Sequence, residues 1–117
     1  MSGDISKADL INSVTTAIQL FNLRKAEVLS RANAEGGPEL VAKVLDQLQE
    51  LRDARFELIQ RALDTSNDEY HALAQRAKRE AEAIGEDVAQ LESVGKILGM
   101  IASVVNFLGR IFIRFGL

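Results

Sequence analysis

A single proline, Pro38, interrupts 117 residues. A β-rich chain of this size needs turn formers roughly every 8–12 residues, and none recur at that spacing here. The proline sits in Glu35-Gly36-Gly37-Pro38. Glycine suits the left-handed residue that ends one helix, and proline suits the first turn of the next. The chain therefore reads as all-α, one helical unit over residues 1–117, with its first reversal at this tetrapeptide.

On either side of the break the apolar residues recur at helical spacing. Residues 5–33 predict helix one, with Ser6 as cap and Asp9 three positions on. Leu10, Val14, Ala17, Ile18 and Phe21 form its stripe, continued by Val28 and Leu29. No charge occurs in residues 10–23, so this half of the helix is expected to be covered on more than one side. Residues 38–65 predict helix two, with Val41, Val44, Leu45, Leu48, Leu51, Leu58, Ile59 and Ala62 as its apolar face. Glu27–Arg31, Glu39–Lys43 and Glu57–Arg61 are favourable pairs four residues apart. The two helices predict an antiparallel hairpin.

Thr65-Ser66-Asn67 is the second break, and Ser66 with Glu69 has the spacing of a capping box. Helix three begins at 67 and is rich in alanine (Ala72, Ala74, Ala77, Ala81, Ala83), which lets a neighbouring helix approach closely. Its course past 92 has two solutions. Tyr70, Ala77, Ile84, Leu91, Leu98, Val105 and Phe112 repeat every seven residues, the signature of a continuous helix and a coiled coil. Alternatively, the chain folds back near Gly95 and residues 96–116 form a fourth helix. Composition changes there, and an up-down-up-down bundle lays residues 104–116 beside the uncharged residues 10–23. A continuous helix leaves about 35 Å of apolar surface past the hairpin, which a monomer cannot keep in water. The geometry favours fold-back for a monomer and the continuous helix for an assembly.

Residues 96–117 are the clearest functional candidate. The polar or small positions Lys96, Gly99, Ser103, Asn106, Arg110 and Arg114 form one narrow stripe, and the rest is large and apolar. Ile97, Leu98, Ile101, Val104, Val105, Leu108, Ile111, Phe112 and Phe115 are the expected partner or membrane interface. Lys96, Arg110 and Arg114 are the expected lipid-headgroup contacts. The uncharged run 97–109 has 13 residues, short of the ~20 that cross a bilayer, so lying in the interface fits better than spanning. Gly95-x-x-x-Gly99-x-x-x-Ser103 resembles a close-packing seam between helices.

Charge narrows the partners. The chain carries −3 overall. From Ser93 onward its only charges are Lys96, Arg110 and Arg114, so residues 1–92 carry −6. An acidic body argues against nucleic acid, which needs a basic face. The cationic tail suits an anionic membrane surface. Residues 1–10 contain Asp4, Lys7 and Asp9 with no apolar core after a basic start, so no classical signal peptide is expected. The expected location is the cytoplasm or an exported state without such a signal, with membrane association as an option.

No constellation for catalysis emerges. The chain has no Cys and one His. Asp68-x-x-His71 superficially resembles half a di-iron motif, but such sites need a second His motif and further inward carboxylates, and Asp46 and Asp53 do not repeat it. Ser66 lies five residues from His71 with no positioned acid. Nothing implies a metal or cofactor, and the five Phe residues read as core. The expected function is non-enzymatic: an adapter, chaperone, inhibitor or self-assembling subunit that binds protein through apolar helix faces. The alternative is a membrane-active or membrane-anchored protein using 96–117.

Overall fold

The structure is a computed structural model and describes residues 5–117; the four residues before Ile5, Asp4 among them, lie outside the description. The elements are α1 (Lys7–Leu23), α2 (Lys25–Gln60), α3 (Asp68–Gln90) and α4 (Val94–Phe115). The fold-back solution is the one adopted, and the chain does not continue as a coiled coil.

Ser6 caps α1 as expected, its Oγ accepting from the Asp9 amide at 3.0 Å. The predicted first helix nevertheless breaks at Arg24, where φ/ψ of −115°/18° leave the helical region. Arg24 has another task. Its guanidinium donates to the Val88 carbonyl at 3.0 Å and to that of Ala89. These are unsatisfied carbonyls at the negative end of α3, where a cation is favoured.

The reversal occurs inside α2. Gly37 has φ 71° and ψ −163°, a region open essentially to glycine alone, and Pro38 opens the second arm, 38–60. That arm runs back along α1. Asn22 accepts from Arg52 at 3.0 Å, Thr15 from Arg55 at 2.6 Å, and Lys7 donates to the Ile59 carbonyl at 3.2 Å. The antiparallel hairpin is thus formed, although α2 ends at Gln60 rather than 65.

Two caps differ from expectation. Asn67, not Ser66, caps α3, its side chain accepting from the Glu69 amide at 2.7 Å. Ser66 is held by Asp64, which accepts from its amide at 3.1 Å and its hydroxyl at 2.6 Å. The hydroxyl is therefore turned away from the helix end. At the other end of α3 the break precedes Gly95. Leu91 takes the left-handed conformation (φ 50°, ψ 49°), and Ser93 caps α4 by accepting from the Lys96 amide at 3.4 Å. Gly95 lies within the first turn of α4.

The packed neighbours are α1–α2, α1–α3, α2–α4 and α3–α4. α1 and α3 run parallel: the Ile5 amide donates to His71 Nδ1 at 3.1 Å at one end, and Arg24 reaches Val88 at the other. α3 and α4 are antiparallel, with Glu69 paired to Arg114 and Asp87 to Lys96 at 3.6 Å. α4 opposes α1 in direction, as expected, but occupies the diagonal corner. Residues 104–116 therefore do not lie beside residues 10–23. The small side chains of α3 account for this. Ala74, Ala77 and Ala81 are buried, and a Cβ on Gly85 would stand 2.6 Å from Leu20 Cδ1, so α1 nests closely on α3. The bulky residues of α4 fill the wider space between α2 and α3. The chain end is clipped back by an antiparallel bridge between Leu63 and Gly116: the Asp64 amide donates to the Phe115 carbonyl at 2.8 Å and the Leu117 amide to that of Ala62 at 3.0 Å.

Candidate interaction surface

The residues expected to meet a partner or a membrane are turned inward. Ile97, Leu98, Ile101, Val104, Leu108, Ile111, Phe112 and Phe115 are buried and Val105 is half-buried. In the folded chain they fill the bundle core. The seven-residue repeat marks this inward face on both α3 and α4, since Tyr70, Ala77, Ile84, Leu91, Leu98 and Phe112 are all buried. The cations expected at lipid headgroups are exposed. Lys96 and Arg114 are engaged with Asp87 and Glu69, while Arg110 has no ion-pair partner among the described residues. Along the expected Gly95/Gly99/Ser103 seam, a Cβ added at Gly99 would meet nothing within 4 Å, and one at Gly95 only Ser93 Oγ at 3.5 Å.

What faces outward is the far side of the α1–α2 pair. In α1 the residues Leu10, Val14, Ala17, Ile18 and Phe21 are buried, but Asn12, Thr16, Gln19, Leu20, Asn22 and Leu23 are exposed. The uncharged stretch is flanked by α2 and by α3, but its outer strip is left in solvent. Beside it, α2 presents Leu45, Phe56 and Ile59. All three were expected in the core, yet they are 40%, 54% and 44% exposed, and Leu23 is 80% exposed. Their spacing explains this. Val44, Leu51 and Leu58 define the inward stripe, whereas Leu45, Arg52, Phe56 and Ile59 run along the next ridge, at steps of seven, four and three residues. That offset was available in the sequence.

Thr15, Ile18, Gln19, Arg52, Arg55 and Phe56 line a shallow groove between the two helices. Its two cations are already bonded within the chain, Arg55 to Thr15 and Arg52 to Asn22. On its other side Phe56 borders Asp53 and Glu57, in a groove completed by Gln60 and Arg61. Glu50, Asp53 and Glu57 line a groove with Val105, Gly109 and Phe112 of α4, and Glu57 pairs with Arg61 at 2.5 Å.

The residues considered for chemistry are separated in use. His71 accepts the Ile5 amide and meets the Tyr70 ring edge-on at 5.2 Å, which joins the start of α1 to α3. Ser66 binds Asp64, and the two hydrogen bonds from Ser66 hold that carboxyl below its ordinary range. Glu27 is likewise held low by the Arg24 guanidinium. Burial, and secondarily Asp9, raises the Tyr70 phenol. Among the described residues, no three His, Asp or Glu side chains group as a metal site.

The chain matches no known protein family, curated protein or solved structure.

Proposed function

We propose that this chain is a non-enzymatic interaction protein that docks a protein partner on the outer face of the α1–α2 pair. One observation carries the reading. Leu23, Leu45, Phe56 and Ile59 stand in solvent on a helix face whose α1 half has no charge and whose arginines are satisfied internally. A lone exposed apolar residue is ordinary. Four large ones on the outer side of one helix pair, with the Phe56 ring at the edge of its groove, supply the kind of aromatic anchor that dominates interface energetics. A partner helix laid between α1 and α2 would cover Phe56 and Ile59 together.

The test is site-directed photo-crosslinking in the native setting. A photoreactive residue at Gln19 is expected to give one discrete protein adduct, and the same residue at Arg79 on α3 none. Equal adducts from both positions, or none from position 19, would refute the reading.

A second reading has its own support. At 22 residues, Val94–Phe115 is long and apolar enough to cross a membrane by length and composition, and its three cations Lys96, Arg110 and Arg114 are exposed. Membrane association through its apolar face requires α4 to leave the bundle. Co-sedimentation of the full chain with phosphatidylglycerol vesicles, lost when all three cations become Gln, is the expected result of that reading.

A further inference from the structure

We infer that His71 is a pH-operated latch on the start of α1, closed while its imidazole is uncharged and open once it is protonated. The contact is a single long-range hydrogen bond. The Ile5 amide donates to His71 Nδ1 at 3.1 Å, across 66 residues of sequence. A neutral imidazole accepts at one ring nitrogen, and an imidazolium at neither, because both nitrogens then carry a proton. Protonation therefore turns the acceptor into a donor that faces a donor. Histidine changes charge between about pH 5 and 8, so the bond is present at the upper end of that range and lost at the lower end.

Ile5 is where the loss is felt. It precedes the Ser6 cap, and with Leu10 it has the spacing of a hydrophobic staple; both side chains are buried. Beneath this turn lies a group that gains from opening. Tyr70 meets the imidazole edge-on, is fully buried, and has a hydroxyl with no hydrogen-bond partner. Lifting the start of α1 admits water to that hydroxyl and relieves the cost of leaving it unpaired. The closed end is thus finely held, as segments that open ahead of the rest are.

The charges around this end are Lys7 and Asp9 on α1, Asp64 in the connection before α3, Asp68 on α3, and the Glu69–Arg114 pair between α3 and α4. Lys7 is bound to the carbonyls of Ile59 and Arg61, and Asp64 to Ser66. Among the described residues none of these charges bonds to the imidazole, so the contact that changes with its protonation is the one to Ile5.

Amide exchange with solvent tests this, followed by NMR on the full chain from about pH 7.5 to about pH 5 and referred to the intrinsic rate at each pH. Protection of the Ile5 amide is expected to fall about fivefold or more, in step with the titration of the His71 ring resonance. The amides of Leu51 and Leu58, buried in α2, should keep theirs. His71→Gln is expected to abolish the pH dependence, whether or not its amide oxygen reaches residue 5. Equal protection of Ile5 across the range overturns the inference. A fall that persists in His71→Gln does so too, since another group would then titrate, and so does a fall shared by Leu51 and Leu58, which would be global unfolding.

Discussion

Replacing Gly99 and Gly109 by alanine is expected to stabilise the bundle. Both lie inside α4, and a Cβ at either position meets nothing within 4 Å. The substitution therefore carries no steric term. What remains is the intrinsic difference between glycine and alanine in a helix interior, about 1 kcal/mol per site. The two sites are ten residues apart, about 15 Å along the axis, far enough for their effects to add. The double variant should gain about 2 kcal/mol, which for a domain of this size raises Tm by about 8–12 °C. Urea unfolding should show a higher midpoint at an unchanged slope. Gly37→Ala is the opposite control. The space there is equally open, but φ is 71°, so an added Cβ strains the backbone and should cost about 1 kcal/mol or more. A loss of stability from Gly99→Ala would refute the reasoning. It would mean that this flank of α4 is covered in solution and that the glycine admits whatever covers it.

Leu108→Ala, at a fully buried site in α4, should cost about 2–5 kcal/mol in urea unfolding, whereas Ile113→Ser, 86% exposed, should stay within about 0.5 kcal/mol. Asn67→Ala should lower stability by about 1 kcal/mol through loss of the α3 cap, and Ser66→Ala by clearly less; the reverse order would restore Ser66 as the cap. Tyr70→Phe should be neutral or stabilising by up to about 1 kcal/mol, because it removes a buried hydroxyl with no hydrogen-bond partner. The Glu27 and Asp64 carboxyls are held below their ordinary 4.5 and 3.8, so their contribution is present above those values and lost as pH falls through the lower folded ones. Urea midpoints taken down through the carboxylate range should fall less steeply in Glu27→Gln and Asp64→Asn.

The hairpin was legible because its reversal is written in residues with few alternative conformations: Gly37 adopts a positive φ and Pro38 begins the next arm. The break between α3 and α4 was legible only as a region. Leu91 takes a left-handed conformation that a side chain disfavours by about 1–2 kcal/mol, and nothing in the identity of a leucine announces it. Gly95, four residues on, looked the better breaker. The order of helices around the bundle was also out of reach. Periodicity says which face of a helix turns inward but not which neighbour it meets. The partner of α1 was decided by the small side chains of α3, a packing preference shared by two helices. Leu45, Phe56 and Ile59 were misassigned for a simpler reason. Being apolar, they were grouped with a stripe from which they are rotated by about one position.

Magnitudes also decide how the two functional readings stand to one another. The nine buried residues of α4 contribute roughly 1.5–3 kcal/mol each, an upper estimate of about 14–27 kcal/mol. The whole fold of a domain this size is stable by about 5–15 kcal/mol. α4 therefore cannot leave while the rest stays folded, and insertion into a bilayer is coupled to global unfolding. The outer face of α1 and α2 is accessible without disturbing any of this. The coupling makes a prediction of its own. If α4 inserts, vesicle binding must track stability: Leu108→Ala should increase binding to phosphatidylglycerol vesicles, and Gly99→Ala with Gly109→Ala should reduce it. Binding that ignores both changes but follows Lys96, Arg110 and Arg114 would mean that lipid meets the folded surface, with the apolar face of α4 still inside the bundle.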